Sequence, residues 1–334
     1  LRPNASIDVQ HVETVWHALE PDERGNLFTS PACWSWARSR GLHLQERMRR
    51  PTLWLACSVK DLAATRRNFP GARPVYMDHG TGLQWYGDAN LRVLRRVAAG
   101  FAAPNAFLAE RYLAEFAGRP VWVIGTPKLD RLAAIAREPG PATVAVSFHW
   151  TSVKRTRVLE LFTPALRALV ALGGVKVLGH GHPHVWGDLE PFYAGLGIEP
   201  VMEFEDVVAR ADVYACDHSS TIYEWAALGR PVVLLDHDAQ QRVVNISSGL
   251  RYTDHADVGE HAGPETFLHA ISNALERDAF AERRAEITAE LYPYLGEATA
   301  RAVEVLRSFD AEGAHGRPAR RAGAAGRVGS LEPA

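Results

Sequence analysis

The feature that most constrains this chain is a repeated pairing. A short, nearly continuous apolar run ends in small, polar or ionisable residues, and a longer stretch of helical period follows. The runs are NLFTS (26–30), TLWLACS (52–58), RPVYMD (73–78), PVWVIG (120–125), TVAVSF (143–148), VKVLG (175–179), DVYACD (212–217) and PVVLLD (231–236). Helical stretches fall between them, at 59–68, 108–117, 154–172 and 221–228. Strands that are apolar throughout, rather than at alternate positions, have both faces covered by helices. Strand and helix in alternation give parallel, doubly wound sheets, so the fold class is α/β.

The 334 residues are more than one such sheet needs, and at roughly 100–200 residues per domain they favour two. The segment REPGPAT (137–143), with two prolines and a glycine, ends one helix and precedes a new strand. It divides the folded part into a first domain, 1–138, and a second, 139–297. A helical pattern over 298–310 is placed to pack back on the first domain. The remainder, 311–334, loses apolar periodicity and reads as a disordered tail. Its cluster Arg317, Arg320 and Arg321 admits contact with anionic lipid, against the commoner reading of a solvated tail.

Composition excludes several classes. Hydrophobic residues make up 47% and charged residues 23%, an ordinary globular balance. Basic and acidic residues number 37 and 39, so no overall positive field points to nucleic acid. The three cysteines are far apart and form no C-x-x-C, which fits a reducing cytoplasm better than a disulfide framework or structural zinc. No apolar run reaches the roughly 18–20 residues of a membrane helix. The chain opens LRPNASID, without Met or a signal-peptide pattern, as expected of a trimmed start.

The polar clusters at the strand ends are the candidate chemistry, because ligands of open parallel sheets bind outside the carboxyl ends of the strands. His79-Gly80-Thr81-Gly82, Gly125-Thr126-Pro127-Lys128, His149-Trp150, His180-Gly181-His182-Pro183, Asp217-His218-Ser219-Ser220 and His237-Asp238 all stand there. Two sheets facing each other would gather them in an interdomain cleft. Among glycines that permit close backbone approach, His79 can accept a proton near neutral pH, or it is a loop histidine bonded to a carbonyl. Ser219 and Ser220 at a helix start can hold phosphate with unpaired N–H groups. The competing reading is a T-x-x-E capping box of Thr221 and Glu224. His180, His182 and His184 alternate, but Pro183 interrupts them and no carboxylate completes a metal set; His182 reads better as a donor to phosphoryl oxygens. Lys128 can neutralise phosphate or pair with Asp130 or Glu138. Lys154, Arg155 and Arg157 form a basic run that is a solvated helix face or a meeting point for an anionic acceptor. G-x-G-x-x-G, G-x-x-x-x-G-K-[ST] and G-x-S-x-G are all absent, which argues against a standard dinucleotide site, a P-loop and a nucleophile elbow.

In order, these clusters resemble the CDP-glycerol glycerophosphotransferase family of teichoic-acid synthesis, over roughly residues 50–240. Its HG-T-P-like loop is matched by His79-Gly80-Thr81-Gly82, and its G-x-P-R-x-D turn by Gly125, Pro127, Lys128 and Asp130. Its His-Pro pair is matched by His182-Pro183, and its D-x-S-S-x-x-x-D helix start by Asp217, Ser219, Ser220 and Glu224. Its K-P-V strand is matched by Arg230-Pro231-Val232, with Asp238 beyond. The chain departs from the pattern with Lys128 for Arg, Glu224 for Asp, Gln84 in the neighbourhood of a usual lysine, and Phe148-His149-Trp150 where P-T-x-R would supply an arginine.

The resemblance implies a GT-B fold, two Rossmann-like domains facing across a cleft, with an acceptor side in the first and the nucleotide donor in the second. It implies transfer of glycerol phosphate or a related polyol phosphate from a CDP-activated donor to an acceptor hydroxyl, releasing CMP, with no metal or cofactor required. The acceptor would be a cell-envelope glycan, a lipid-linked sugar or a small metabolite. By motif match His79 and His182 are catalytic. Gly80, Thr81, Lys128, His149, Ser219, Ser220, Glu224 and Asp238 are donor-binding. The long amphipathic N-terminal regions of polymerising members are missing, which implies single addition. The location implied is the cytoplasm, with peripheral membrane contact through the basic tail. The alternatives on the same architecture are a nucleotide-sugar glycosyltransferase or UDP-GlcNAc 2-epimerase-like enzyme, and a nucleotide-binding protein without catalysis.

Overall fold

The structure is a computed structural model that describes residues 4–23, 53–59, 62–63, 67, 70–78, 88–237, 258–314 and 328–329. Expectations for the run at 26–30, for His79, Gly80, Thr81 and Asp238, and for most of the helix at 59–68 lie outside these residues. The chain divides into two compact units, residues 1–131 with 292–334, and residues 132–291. The division falls at 131 and 291, where the sequence pointed to 138 and 297. Arg137 and the segment after it belong to the second unit, because the Arg137 guanidinium grips the Asp212 carboxylate through two bonds of 2.9 Å. The same carboxylate accepts the Thr143 N–H at 2.8 Å.

The first unit holds strands β1 (Leu53–Ala56), β2 (Arg73–Met77), β3 (Gly100–Ala103) and β4 (Val121–Val123). The second holds β5 (Thr143–Phe148), β6 (Lys176–Gly181), β7 (Glu199–Pro200), β8 (Val213–Cys216), β9 (Val232–Leu235) and β10 (Glu260–Ala262). A last strand, β11 (Val328–Gly329), returns to the first unit beside Val121 and Trp122. Every described pairing is parallel. The expected strands appear within a residue or two, and β5 spans the expected residues 143–148. Strands β3, β7 and β10 escape a reading by pattern: GFAA lies in an alanine-rich stretch, and the others are two or three residues long.

The first sheet is ordered β1-β2-β3-β4-β11, and the second β10-β9-β8-β5-β6-β7. In the second, the chain builds outward from β5 through β6 to β7. It then crosses to the other side of β5 for β8 and continues through β9 to β10. The strand order therefore reverses between β5 and β8. Around this sheet pack Phe148, Phe162, Leu166, Leu189, Tyr193 and Phe267, all buried. Two glycines of β6 make room for the helix Trp186–Gly195: a Cβ at Gly179 would lie 2.2 Å from the Tyr193 ring, and one at Gly181 2.1 Å from Leu189. The helical pattern expected over 154–172 is two helices, Trp150–Arg155 and Val158–Leu172. Extended Thr156 parts them, its hydroxyl donating to the Ser152 carbonyl and accepting the Val158 N–H.

The tail differs from the expectation of disorder from 311. The helix Ala298–Ala314 runs past that point and packs Val303, Leu306 and Phe309 into the core behind β2 and β4, with Arg73 over the Phe309 ring at 4.4 Å. Its start is held from the G-T-P-K-L-D turn. Asp130 accepts the N–H of Gly296 at 2.8 Å and of Thr299 at 2.7 Å, and Gly125, at φ +82°, leaves room for Ala298. Asp130→Ala is expected to lose about 1–2 kcal/mol of stability as a missing cap. Gly125→Ala is expected to lose about 2–4 kcal/mol, since it adds a contact of 2.8 Å to a left-handed backbone. Gly118→Ala, at φ +81° in open space, pays the backbone penalty without the contact. Urea midpoints of the three variants check the order; equal losses at Gly118 and Gly125 would remove the docking role.

Candidate functional site

At the reversal between β5 and β8 the carboxyl ends of three strands meet around one buried carboxylate. Asp217 follows β8 and is 1% exposed. Its Oδ1 accepts the backbone N–H of His149, the residue after β5, at 2.8 Å. Its Oδ2 faces His218 Nδ1 at 3.4 Å and His237 Nε2, beyond β9, at 3.6 Å. Burial would raise this carboxyl, but the neighbouring His218, and then His237, outweigh it and hold the group well below the usual carboxylate range.

From His218 the network continues to His149. Thr151 Oγ1 lies 3.0 Å from His218 Nε2 and 2.6 Å from His149 Nδ1, and the Thr151 N–H donates to the same Nδ1 at 3.3 Å. Thr151, Ser152 and His218 are buried. The two imidazole rings pack with centroids 4.2 Å apart. Burial, then the neighbouring His218, lower the His149 pKa to about 3, so the ring is neutral at physiological pH.

His182 repeats the arrangement one strand over. Phe148 and Gly181 are register partners in β5 and β6, so His149 and His182 leave adjacent strands side by side. His182 Nδ1 accepts the N–H of His184 at 3.1 Å, capping the 3-10 turn Pro183–Val185 as His149 caps its own helix. Burial, then His184, lower its pKa to about 4. His182 is thus a neutral hydrogen-bond donor rather than a cationic acid. His184 stacks on it with centroids 4.7 Å apart, whereas His180 turns inward to the Val201 carbonyl at 3.0 Å and packs on Phe204. No group of three potential metal ligands occurs among the described residues.

The helix after β8 begins at Ser220, with Ser219 as its cap. The competing reading of a Thr221–Glu224 capping box does not hold, since Ser219 is the cap: its Oγ accepts the Thr221 N–H at 3.3 Å and the Thr221 hydroxyl at 2.9 Å. Thr221 Oγ1 in turn lies 3.0 Å from the Tyr214 hydroxyl, whose pKa burial raises well above the ordinary value. Tyr214 donates to Thr221 and Thr221 to Ser219, which leaves the Ser219 O–H as a donor at the end of the chain. Glu224 falls in the fifth helical position and is 2% exposed.

The structure thus gathers His149, His182, Ser219 and Ser220 at the carboxyl edge of one sheet. Lys128 belongs to the first unit, buried in the first turn of the helix Pro127–Ala133. Two members of the basic run after His149 form surface pairs, Lys154 with Asp188 at 2.6 Å and Arg157 with Glu160. Arg230 grips the Val208 and Ala211 carbonyls. Sequence reading named Asp217, His218 and His237 only as members of clusters and passed over Thr151. The signal for them was the alignment of strand ends, which requires the strand order.

No family model matches the chain, and no curated protein gives a significant match in sequence. Solved structures do match in fold. The wall teichoic acid polymerase TagF superposes with a TM-score of 0.60 at 14% identity, over 79% of this chain and 74% of that one. The Staphylococcus aureus protein MnaA, solved with UDP, gives 0.60 at 12% identity over 92% and 95%. A putative UDP-N-acetylglucosamine 2-epimerase from Listeria monocytogenes gives 0.54 at 13% over 83% and 77%. The fold is that of these enzymes, α/β of GT-B type with two parallel sheets.

Two outcomes test the site's electrostatics. Removing one partner of a buried charged cluster costs about 3–5 kcal/mol, so Asp217→Ala is expected to lose that much in urea unfolding. A loss under about 1 kcal/mol would show the cluster to be peripheral to stability. His149 and His182 have folded pKa values below the unfolded 6.5. The unfolded chain binds more protons below that value, so stability is full above pH 6.5 and falls as the pH drops toward 4 and 3. Each histidine adds up to about 1.4 kcal/mol per pH unit to that slope, and His149→Gln or His182→Gln should remove its share.

Proposed function

We propose that this chain is a transferase moving glycerol phosphate, or a related polyol phosphate, from a CDP-activated donor to an acceptor hydroxyl. The observation that carries the reading is the edge of neutral donors at the strand-order reversal of the second unit. His149, His182 and Ser219 stand there with the first N–H groups of the helix Ser220–Ala227. Such donors, aimed where negative charge develops, suit a pyrophosphate and the phosphate that leaves it.

In the reaction, the acceptor oxygen bonds to the phosphorus that carries the polyol, the pyrophosphate P–O bond breaks, and CMP departs. Positioning and charge stabilisation do most of the work in such transfers. His79 takes the acceptor proton, with Gly80 and Thr81 allowing close approach. His182 donates to the departing phosphate, His149 and Lys128 hold phosphoryl oxygens, and Ser219 and Ser220 hold the pyrophosphate. Glu224 and Asp238 take donor hydroxyls. The ordered motif resemblance favours the CDP-activated donor, and a TagF structure soaked with CDPG shares the fold. The site of action proposed is the cytoplasm; no helix among the described residues is long and apolar enough to cross a membrane.

A second reading, a nucleotide-sugar enzyme, draws support from the more complete superposition on MnaA, solved with UDP. Thermal shift separates the two. A ligand at 100 times its Kd adds about 2.7 kcal/mol, so CDP-glycerol, CDP-ribitol and CMP should raise the melting temperature while UDP and UDP-GlcNAc do not. A uridine preference would move the assignment to the sugar-nucleotide class. With an acceptor in hand, His79→Ala and His182→Ala should each cut turnover by about 10²-fold, whereas Ser219→Ala with Ser220→Ala should chiefly raise KM. Wild-type turnover in both histidine variants would end the mechanistic assignment.

A further inference from the structure

We propose that Thr151 is a positioning residue that fixes His149 as a neutral Nε2–H donor to a phosphoryl oxygen, beside His182. The proposal rests on the functional reading above and identifies what serves the phosphate where the resembled pattern has an arginine.

The directions of the hydrogen bonds follow from a group that can only donate. The Thr151 backbone N–H reaches His149 Nδ1 at 3.3 Å, so Nδ1 carries a lone pair and the ring proton is on Nε2. The Thr151 hydroxyl, 2.6 Å from the same Nδ1, then donates to it as well. With its proton committed, that hydroxyl oxygen accepts from His218 Nε2 at 3.0 Å. Thr151 therefore holds the tautomer of His149 through two bonds, the backbone N–H and the much shorter hydroxyl contact, and its hydroxyl also holds the face of His218. Behind His218, the Ser152 hydroxyl lies 3.4 Å from Nδ1 and the Asp217 carboxylate also 3.4 Å.

His182 supplies an internal comparison. Its Nδ1 is occupied by the His184 N–H at 3.1 Å, which puts its proton on Nε2 without a hydroxyl. The two histidines follow the register partners Phe148 and Gly181 of β5 and β6, which puts both imidazole donors within the same part of the sheet edge for one anion. Neutral donors here carry a cost advantage. They satisfy an anion without adding a cation that would pair with the Asp217 carboxylate instead.

The test uses the full chain labelled with 15N at histidine, with the His149 signals identified by their loss in His149→Gln. At pH 7 the wild type should show His149 and His182 as neutral Nε2–H tautomers. Thr151→Val keeps the 3.3 Å backbone bond and loses the 2.6 Å hydroxyl bond, so it should raise the share of the His149 Nδ1–H tautomer, leave His182 unchanged and weaken inorganic pyrophosphate binding about tenfold, the loss of one good hydrogen bond. Thr151→Ser should restore both. A His149 that is cationic or Nδ1-protonated in the wild type overturns the proposal even where the valine variant fails to fold. So does a valine variant with the wild-type tautomer. If the tautomers are as stated but pyrophosphate leaves the His149 Nε2 signal unmoved, the donor role falls. The functional reading falls with it only if CDP-glycerol and CMP also fail to stabilise the chain.

Discussion

Everything at the candidate site depends on the buried carboxylate of Asp217. A lone ionised carboxylate in a protein interior is too costly to keep, so it must be matched on all sides. Here the match comes from the ends of three strands: the His149 N–H after β5, His218 after β8 itself, and His237 after β9. In open parallel sheets a strand-order reversal is the place where a ligand crevice forms, and Asp217 is the group that ties the β5 and β8 ends together there. Its ionised state draws imidazole rings inward, and the rings then define which atoms are left to meet a ligand.

A phosphate beside a buried carboxylate looks electrostatically unfavourable. The hydrogen-bond polarity resolves it. The Asp217 charge is consumed inward by a backbone N–H and ring nitrogens, while two chains of hydroxyls and rings present donors at their far ends. One runs from His218 through Thr151 to His149; the other runs from Tyr214 through Thr221 to Ser219. Burial raises the pKa of Tyr214 and lowers that of His149, so both of these groups are neutral at physiological pH. An oxyanion is bound by such a surface through oriented dipoles, which cost no reorganisation when charge moves from one oxygen to another. Surface cations are of no help to this arrangement: Lys154 and Arg157, the obvious candidates by proximity in sequence, are paired with Asp188 and Glu160.

Much of the architecture was readable because apolar runs covered on both faces carry no ambiguity of side. TVAVSF and PVVLLD are strands whichever way they face, and their polar successors must stand at the carboxyl edge. What pattern could not supply was strand order. Nothing in the spacing of residues 143–217 says that β8 lies against β5 rather than beyond β7, and that neighbour relation is what brings Asp217 to the His149 N–H. Thr151 was invisible for a related reason, since a threonine two residues into a helix is unremarkable until the ring of His218 stands against it. The expected helix over 298–310 carries the core residues Val303, Leu306 and Phe309, and its last residues, AEGA (311–314), were missed because none of them is a large apolar residue that could extend the period.

The motif residues divide into those that build the fold and those that meet a ligand. Gly125 and Asp130 are explained by the docking of the helix Ala298–Ala314, and Arg230 by its grip on the Val208 and Ala211 carbonyls. These positions are dictated by packing, so any chain with this architecture has reason to keep them whatever it binds. On the proposed function, the atoms at the β5, β6 and β8 ends are among those that answer to the ligand. That division accounts for a fold shared at 12–14% identity with both a polymerase of teichoic acid and a protein solved with UDP. On the proposed function, the decision between them falls to His149, in the segment where the resembled pattern would supply an arginine, and to the Thr151 hydroxyl 2.6 Å from its ring.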